Sequence, residues 1–235
     1  GKNLFPPSRF FSSSRLSKGE LKLISVVGLG PGHTDYITSA VLKRIQRADV
    51  LIGGSRQLQL FKDVSCKKIL FTNQLDLSYA LNHPGNVVVL ASGEPGLYGI
   101  LDKVLEYRKR EEIEVIPGVS SVQYMMAKLA MSMKGMAVVS LHGRNQDLEL
   151  KIMQHKTIAV LTDRQHNPQY IARKLQQEGI LDVHIYVGQN LSYENETIES
   201  FSVKELSEST KNFNLNVVVI TGCGNTDSAF PMSFL

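Results

Sequence analysis

Three glycine-rich loops hold the residues of this chain whose types and spacing suit chemistry: GLGPG at 28–32, SGEPGLYG at 92–99 and PGVSS at 117–121. Glycine lets the backbone turn sharply and approach a ligand with no Cβ in the way. In the first loop Gly28, Gly30 and Gly32 surround Pro31, which removes an amide donor and breaks the GxGxxG spacing of a dinucleotide cradle. Gly53 and Gly54, not an acid, stand at the end of the second predicted strand, where ribose recognition would need a carboxylate. These two features argue against a dehydrogenase. In the third loop Pro117 fixes a turn, and Ser120 and Ser121 offer hydroxyls and amides at a helix start. Any one such loop is unremarkable, but three at one sheet edge predict a ligand site.

The elements that must position these loops are legible from residue 22 onward. Residues 22–27 (KLISVV), 50–52, 86–91 (NVVVLA) and 113–116 read as strands, each of the longer ones ending in a glycine turn followed by a helical pattern. Thr34 or Asp35 is expected to cap the first helix, which carries Ile37, Ala40, Val41, Leu42, Ile45 and Ala48. Further helices are expected around Leu101, Val104 and Leu105, and over 122–131. Continuous apolar runs suit strands buried on both faces, hence a mainly parallel α/β sheet. A helix-poor stretch at 131–136 (MSMKGM) reads as a linker, dividing the chain into domains at 21–132 and 133–235. In the second half, strands at 137–141, 157–161, 183–187, 197–201 and 215–221 have fewer helices between them, which predicts a mixed sheet. Its clearest helix spans 167–177, with Asn167 as cap and Pro168 in the first turn.

Composition narrows the function classes. Hydrophobic residues make up 43% and charged residues 20% of the 235, an ordinary globular balance. No apolar run approaches the ~18 residues of a membrane-spanning helix. Lys2, Arg9, Arg15 and Lys18 against Glu20 alone place three of the four net positive charges in the first 20 residues. The remainder is nearly neutral, so basicity gives no case for a nucleic-acid partner. Residues 1–20, rich in Ser, Arg, Phe and Pro, loosely resemble a transit peptide; they are read as an upstream extension with weak order. Cys66 and Cys223 form no CxxC pair, so the reading is two core thiols in a reducing, cytoplasmic setting, with a single disulfide left open and no metal site.

The ordered set GLGPG with Thr38, SGEPGLYG and PGVSS resembles the tetrapyrrole methylases over about residues 22–221. The segments VVSLHGR at 138–144 and YVGQNLSYENETI at 186–198 look most like the branch that methylates C5 of precorrin-6Y or cobalt-precorrin-7. The resemblance implies two α/β domains with an active-site trough between them, and S-adenosyl-L-methionine as cofactor. It implies cofactor contacts from Gly93, Glu94, Leu97, Ser120, Ser121, Leu161 and Gly188. Pro31, His33, Arg56, Tyr98, His142 and Arg144 would face a precorrin or cobalt-precorrin substrate, whose carboxylates call for cations; Arg164 is a further candidate.

No catalytic dyad is assigned, because methyl transfer from a sulfonium needs alignment more than a strong base. Tyr98, His33 or His142 are the candidates to steer a proton. His33 and Glu94 depart from the family pattern, which carries Asp at both positions. By resemblance the chain is a homodimer, and C15 methylation with decarboxylation falls to a separate protein; neither membrane nor nucleic acid is involved. The alternatives are a relative acting at another ring position, on diphthamide or on ribosomal RNA, and a module that binds an adenosine ligand without chemistry.

Overall fold

A strand buried on both faces must satisfy every amide and carbonyl against neighbouring strands, and the apolar runs pair accordingly. The structure, a computed structural model, describes residues 23–141 and 148–222. By contacts the chain divides into two units, one ending at Ser120 and the other starting at Ser121.

The first unit alternates strand and helix: β1 (Ile24–Gly28), α1 (Ser39–Gln46), β2 (Val50–Gly53), α2 (Ser55–Leu60), β3 (Lys67–Leu70), α3 (Leu77–Leu81), β4 (Val87–Ala91), α4 (Leu101–Leu105) and β5 (Ile113–Ile116). The strands form one sheet in the order β3-β2-β4-β1-β5, and every pairing is parallel. Every residue of β1 and β4 is buried. One face packs Ile24, Val26, Val87 and Val89 against Leu77, Leu81 and Val104 of α3 and α4. The other packs Val27, Val88 and Leu90 against Val41 and Ile45 of α1, with Phe61. Helices on both faces are why these runs are apolar at successive positions. Cys66 carries a free, half-buried thiol beside this second face, and burial pushes its pKa up, the nearby Lys68 opposing.

The helix start expected at Thr34 or Asp35 lies further on. His33 Nδ1 accepts the Asp35 amide at 3.2 Å and starts a single 3₁₀ turn, Thr34–Tyr36, which ends at an extended Ile37. The chain re-enters helix only after Thr38, whose Oγ1 accepts the Val41 amide at 3.3 Å. A cap of this kind stabilises a helix by ~1 kcal/mol. It also places Val41 and Ile45, four residues apart, together in the core.

The second unit contains α5 (Ser121–Lys128), β6 (Ala137–Ser140), α6 (Leu148–Gln154), β7 (Thr157–Leu161), α7 (Pro168–Gln177), β8 (His184–Gln189), β9 (Thr197–Ser202), α8 (Val203–Glu208) and β10 (Asn216–Thr221). Its sheet runs β6-β7-β10-β8-β9 and is mixed, as expected: β6 and β7 are parallel and the other pairs antiparallel. One face packs Val160, Val187, Val218 and Ile220 with the apolar sides of α6, α7 and α8. Asn167 caps α7 through the Tyr170 amide at 2.8 Å, with Pro168 following, also as expected. The division at Ser120 precedes the boundary expected at 132/133. The reason is that α5 packs on the second sheet, with Met125 against Gly188 of β8 and Lys128 paired to Glu196. Among the described residues no helix is long and apolar enough to cross a membrane.

Candidate active site

In an all-parallel sheet the strands end at one edge, and ligands favour the crevice where adjacent strands send their connections in opposite directions. Here β1 leads toward β2 on one side and β4 leads toward β5 on the other, and β1 and β4 are neighbours. The loops after them meet at that point. Leu29 N donates to Ala91 O at 2.9 Å, and Gly30 and Gly93 exchange two backbone hydrogen bonds, at 2.9 and 3.4 Å. The third loop closes in from β5. A Cβ on Gly28 would lie 2.5 Å from both Gly118 N and Gly93 O, and one on Gly118 would lie 2.3 Å from Gly93 O. Three backbones therefore touch where side chains cannot fit. Of the residues expected at the cofactor, Gly93, Glu94, Leu97 and Ser120 do share this loop cluster.

Glu94 spans it. Its Oε1 accepts the Gly96 amide at 3.1 Å and its Oε2 the Gly118 amide at 3.0 Å. Leu97 N donates to Glu94 O at 3.2 Å, closing a turn. Tyr98 then takes φ 53°, a left-handed conformation that costs a bulky residue roughly 1–2 kcal/mol. It is 44% exposed. Ser120 is buried.

Among the expected substrate residues, Pro31 is half-buried, and His33 is exposed and caps the 3₁₀ turn. Arg56 is exposed on α2, which follows β2 at the same sheet edge. The neighbouring Gln57 accepts the Gly54 amide at 2.7 Å and donates to Ser92 Oγ at 3.0 Å, tying α2 to the second loop. A Cβ at Gly53 would meet Leu90 and Gln57, so the end of β2 offers neither a carboxylate nor a cradle for a ribose. His142 and Arg144 lie outside the described residues, as do residues 1–20 and Cys223. Among the described residues no cluster of His, Cys, Asp and Glu could hold a metal ion.

In the second unit, Leu161 pairs with Val217 and Val217 with Gly188, so these residues form one row across three strands. The row lies on the sheet face opposite the α6–α8 core. The position a Gly188 Cβ would take is already filled: Met125 Sδ, fully buried on α5, would be 2.4 Å away and Leu191 Cδ2 2.8 Å. Ser121 begins α5, and Arg164 is exposed after β7.

Sequence reasoning missed the anchor of the β8–β9 hairpin. Asn190 and Ser192 take φ 47° and 70° in its turn. Glu196 holds that turn by accepting the Ser192 amide at 2.6 Å, and Lys128 of α5 pairs with the same carboxylate at 2.8 Å. Burial alone would raise the Glu196 pKa, but Lys128, the Ser192 amide and Tyr124 together hold it below the usual carboxylate value. A depressed pKa contributes stability that is present above the unfolded value, roughly 4.3, and is lost as pH falls through the folded one. Glu196→Gln is thus expected to destabilise by about 1 kcal/mol at neutral pH, the gap from wild type narrowing as pH falls and the Glu196 carboxylate takes up its proton. Urea unfolding at several pH values checks this, and a gap independent of pH refutes it. The carboxylate and amine of NETI and MMAK are visible in sequence, but nothing local pairs them.

An all-parallel and a mixed sheet, with glycine loops meeting at the switch point of the first, define a class of two-unit α/β proteins that includes solved methyltransferases. A precorrin-6Y methylase from Archaeoglobus fulgidus shares the fold with a TM-score of 0.68 at 23% identity, covering 86% of this chain and 98% of that one. A uroporphyrin-III C-methyltransferase from Thermus thermophilus, complexed with S-adenosylhomocysteine, does so at 0.71 and 21%, covering 85% and 97%. The profile of the Tetrapyrrole (Corrin/Porphyrin) Methylases matches residues 23–207. A cobalt-precorrin-7 C(5)-methyltransferase from Salmonella typhimurium is 34% identical over 203 residues, 84% of this chain and 98% of that protein. The chain belongs to the tetrapyrrole methylase family.

Proposed function

We propose that this chain is an S-adenosylmethionine-dependent methyltransferase acting on C5 of a precorrin or cobalt-precorrin in cobalamin biosynthesis. The observation that carries the reading is the meeting of three glycine loops at the switch point of the parallel sheet, in a chain that spans nearly all of a relative named for that reaction. The cofactor would supply an electrophilic methyl group, its sulfur leaving as a neutral thioether. The chain's part is to bind and align, and positioning alone supplies ~7–11 kcal/mol in favourable cases.

Gly93, Glu94, Leu97 and Ser120, which share the loop cluster, form the cofactor side of the first unit. The resemblance assigns Ser121, Leu161 and Gly188 to the cofactor as well. Pro31, His33, Arg56 and Tyr98 face the macrocycle, with His142 and Arg144 as further partners for its carboxylates. The resemblance also supports a cytoplasmic homodimer working beside a separate C15-methylating decarboxylase. Calorimetric titration with S-adenosylhomocysteine, with NAD as control, tests the reading. Micromolar binding of the first and none of the second is expected; no binding of S-adenosylhomocysteine overturns it.

A further inference from the structure

The loops after β4 and β5 cannot be held together by a strand ladder, because β1 lies between those two strands. The ladder from β1 to β4 ends at Gly28 and Ala91, and that from β1 to β5 at Val27 and Ile116. Beyond those pairs Gly30 and Gly93 still exchange backbone hydrogen bonds, which fix the loop after β4 to the end of β1, while the loop after β5 meets it by contact between the backbones of Gly28, Gly93 and Gly118. Glycines have no side chains to interlock. The Glu94 side chain supplies a directional tie between the two loops. It accepts one amide in each loop, Gly96 and Gly118. Both bonds are charge-assisted, the stronger kind.

We infer that Glu94 is a positioning residue that locks the loops after β4 and β5 in one register, and that the cofactor reads this locked backbone and not the carboxylate. The inference rests on the methyltransferase reading for the identity of the ligand. A side chain one methylene shorter keeps the local bond to the amide two residues on, as Asp does in an Asx turn, but loses reach toward Gly118.

Two measurements on Glu94→Gln and Glu94→Asp decide the matter: amide exchange in the unliganded protein, followed by NMR, and calorimetry with S-adenosylhomocysteine. In Glu94→Gln one accepting oxygen becomes a donor that confronts an amide. Exchange at Gly118 is expected to accelerate about tenfold and affinity to fall about tenfold, in line with the loss of one charge-assisted bond. Glu94→Asp, which keeps the local bond to Gly96 but cannot reach Gly118, is expected to match Glu94→Gln both in exchange at Gly118 and in affinity. Weaker binding with unchanged exchange at Gly118 would mean that the carboxylate itself touches the ligand, and would overturn the inference. Faster exchange with unchanged affinity would overturn it too, reducing the tie to a structural one. If the wild-type protein binds no S-adenosylhomocysteine, the methyltransferase reading fails, and exchange at Gly118 alone then upholds or refutes the lock.

Discussion

Gly118→Ala is expected to lower the melting temperature by roughly 10 °C and to abolish binding of S-adenosylhomocysteine, the effect of about 3 kcal/mol of overpacking. The added Cβ would lie 2.3 Å from Gly93 O and 2.7 Å from both the carbonyl carbon and the oxygen of Gly28. All three neighbours are backbone, so no rotamer change relieves the clash; the loops must part. Parting them also pulls the Gly118 amide from Glu94 Oε2, so stability and ligand geometry fail together. The control lies in the same cluster. A Cβ at Gly96 would meet nothing closer than Glu94 Oε1 at 3.5 Å, an ordinary contact, so Gly96→Ala should melt within a few degrees of wild type and still bind. Thermal melting with calorimetry on both variants checks the contrast. A Gly118→Ala protein that melts and binds like wild type would show that the three backbones do not meet as described.

That contrast also marks what the sequence could and could not reveal. The loops could be placed at one edge from grammar alone: in a parallel sheet every strand–glycine–helix unit ends on the same side, and GLGPG, SGEPGLYG and PGVSS each follow a strand. Which glycines exclude a side chain by contact could not be read, because Gly28, Gly93 and Gly118 meet only through the strand order β3-β2-β4-β1-β5. The resemblance implies Glu94 as a cofactor contact, while its amide partner in the third loop, Gly118, depends on the same strand order. The start of α1 was misplaced for a different reason. Thr34, Asp35 and Thr38 are all good caps, and the choice falls to Thr38 because His33 engages the Asp35 amide in a 3₁₀ turn. The allegiance of α5 was hidden as well. An apolar helix face does not say which sheet it will cover, and only the space left at Gly188 shows where Met125 goes.

Gly188→Ala is expected to destabilise the second unit by about 2 kcal/mol, through overpacking against side chains and not through backbone. The new Cβ would lie 2.4 Å from Met125 Sδ, 2.8 Å from Leu191 Cδ2 and 3.1 Å from Met125 Cε. A thioether is adaptable, but Met125 is fully buried and has little space in which to adapt. Met125→Ala alone leaves a cavity and is expected to cost about 3 kcal/mol. The two changes should offset each other, since the methyl group added at position 188 enters the space that Met125 vacates. The double variant should therefore be more stable than the sum of the single effects by about 1 kcal/mol or more. Urea unfolding of the four proteins closes the cycle, and strict additivity would show that Gly188 and Met125 do not compete for one space. Affinity for S-adenosylhomocysteine in the double variant then separates two reasons for the glycine. If Gly188 is there to admit Met125, the pair of changes restores stability and leaves binding within a few-fold of wild type. Should binding be lost while stability returns, the glycine serves the ligand directly, as the family resemblance implies.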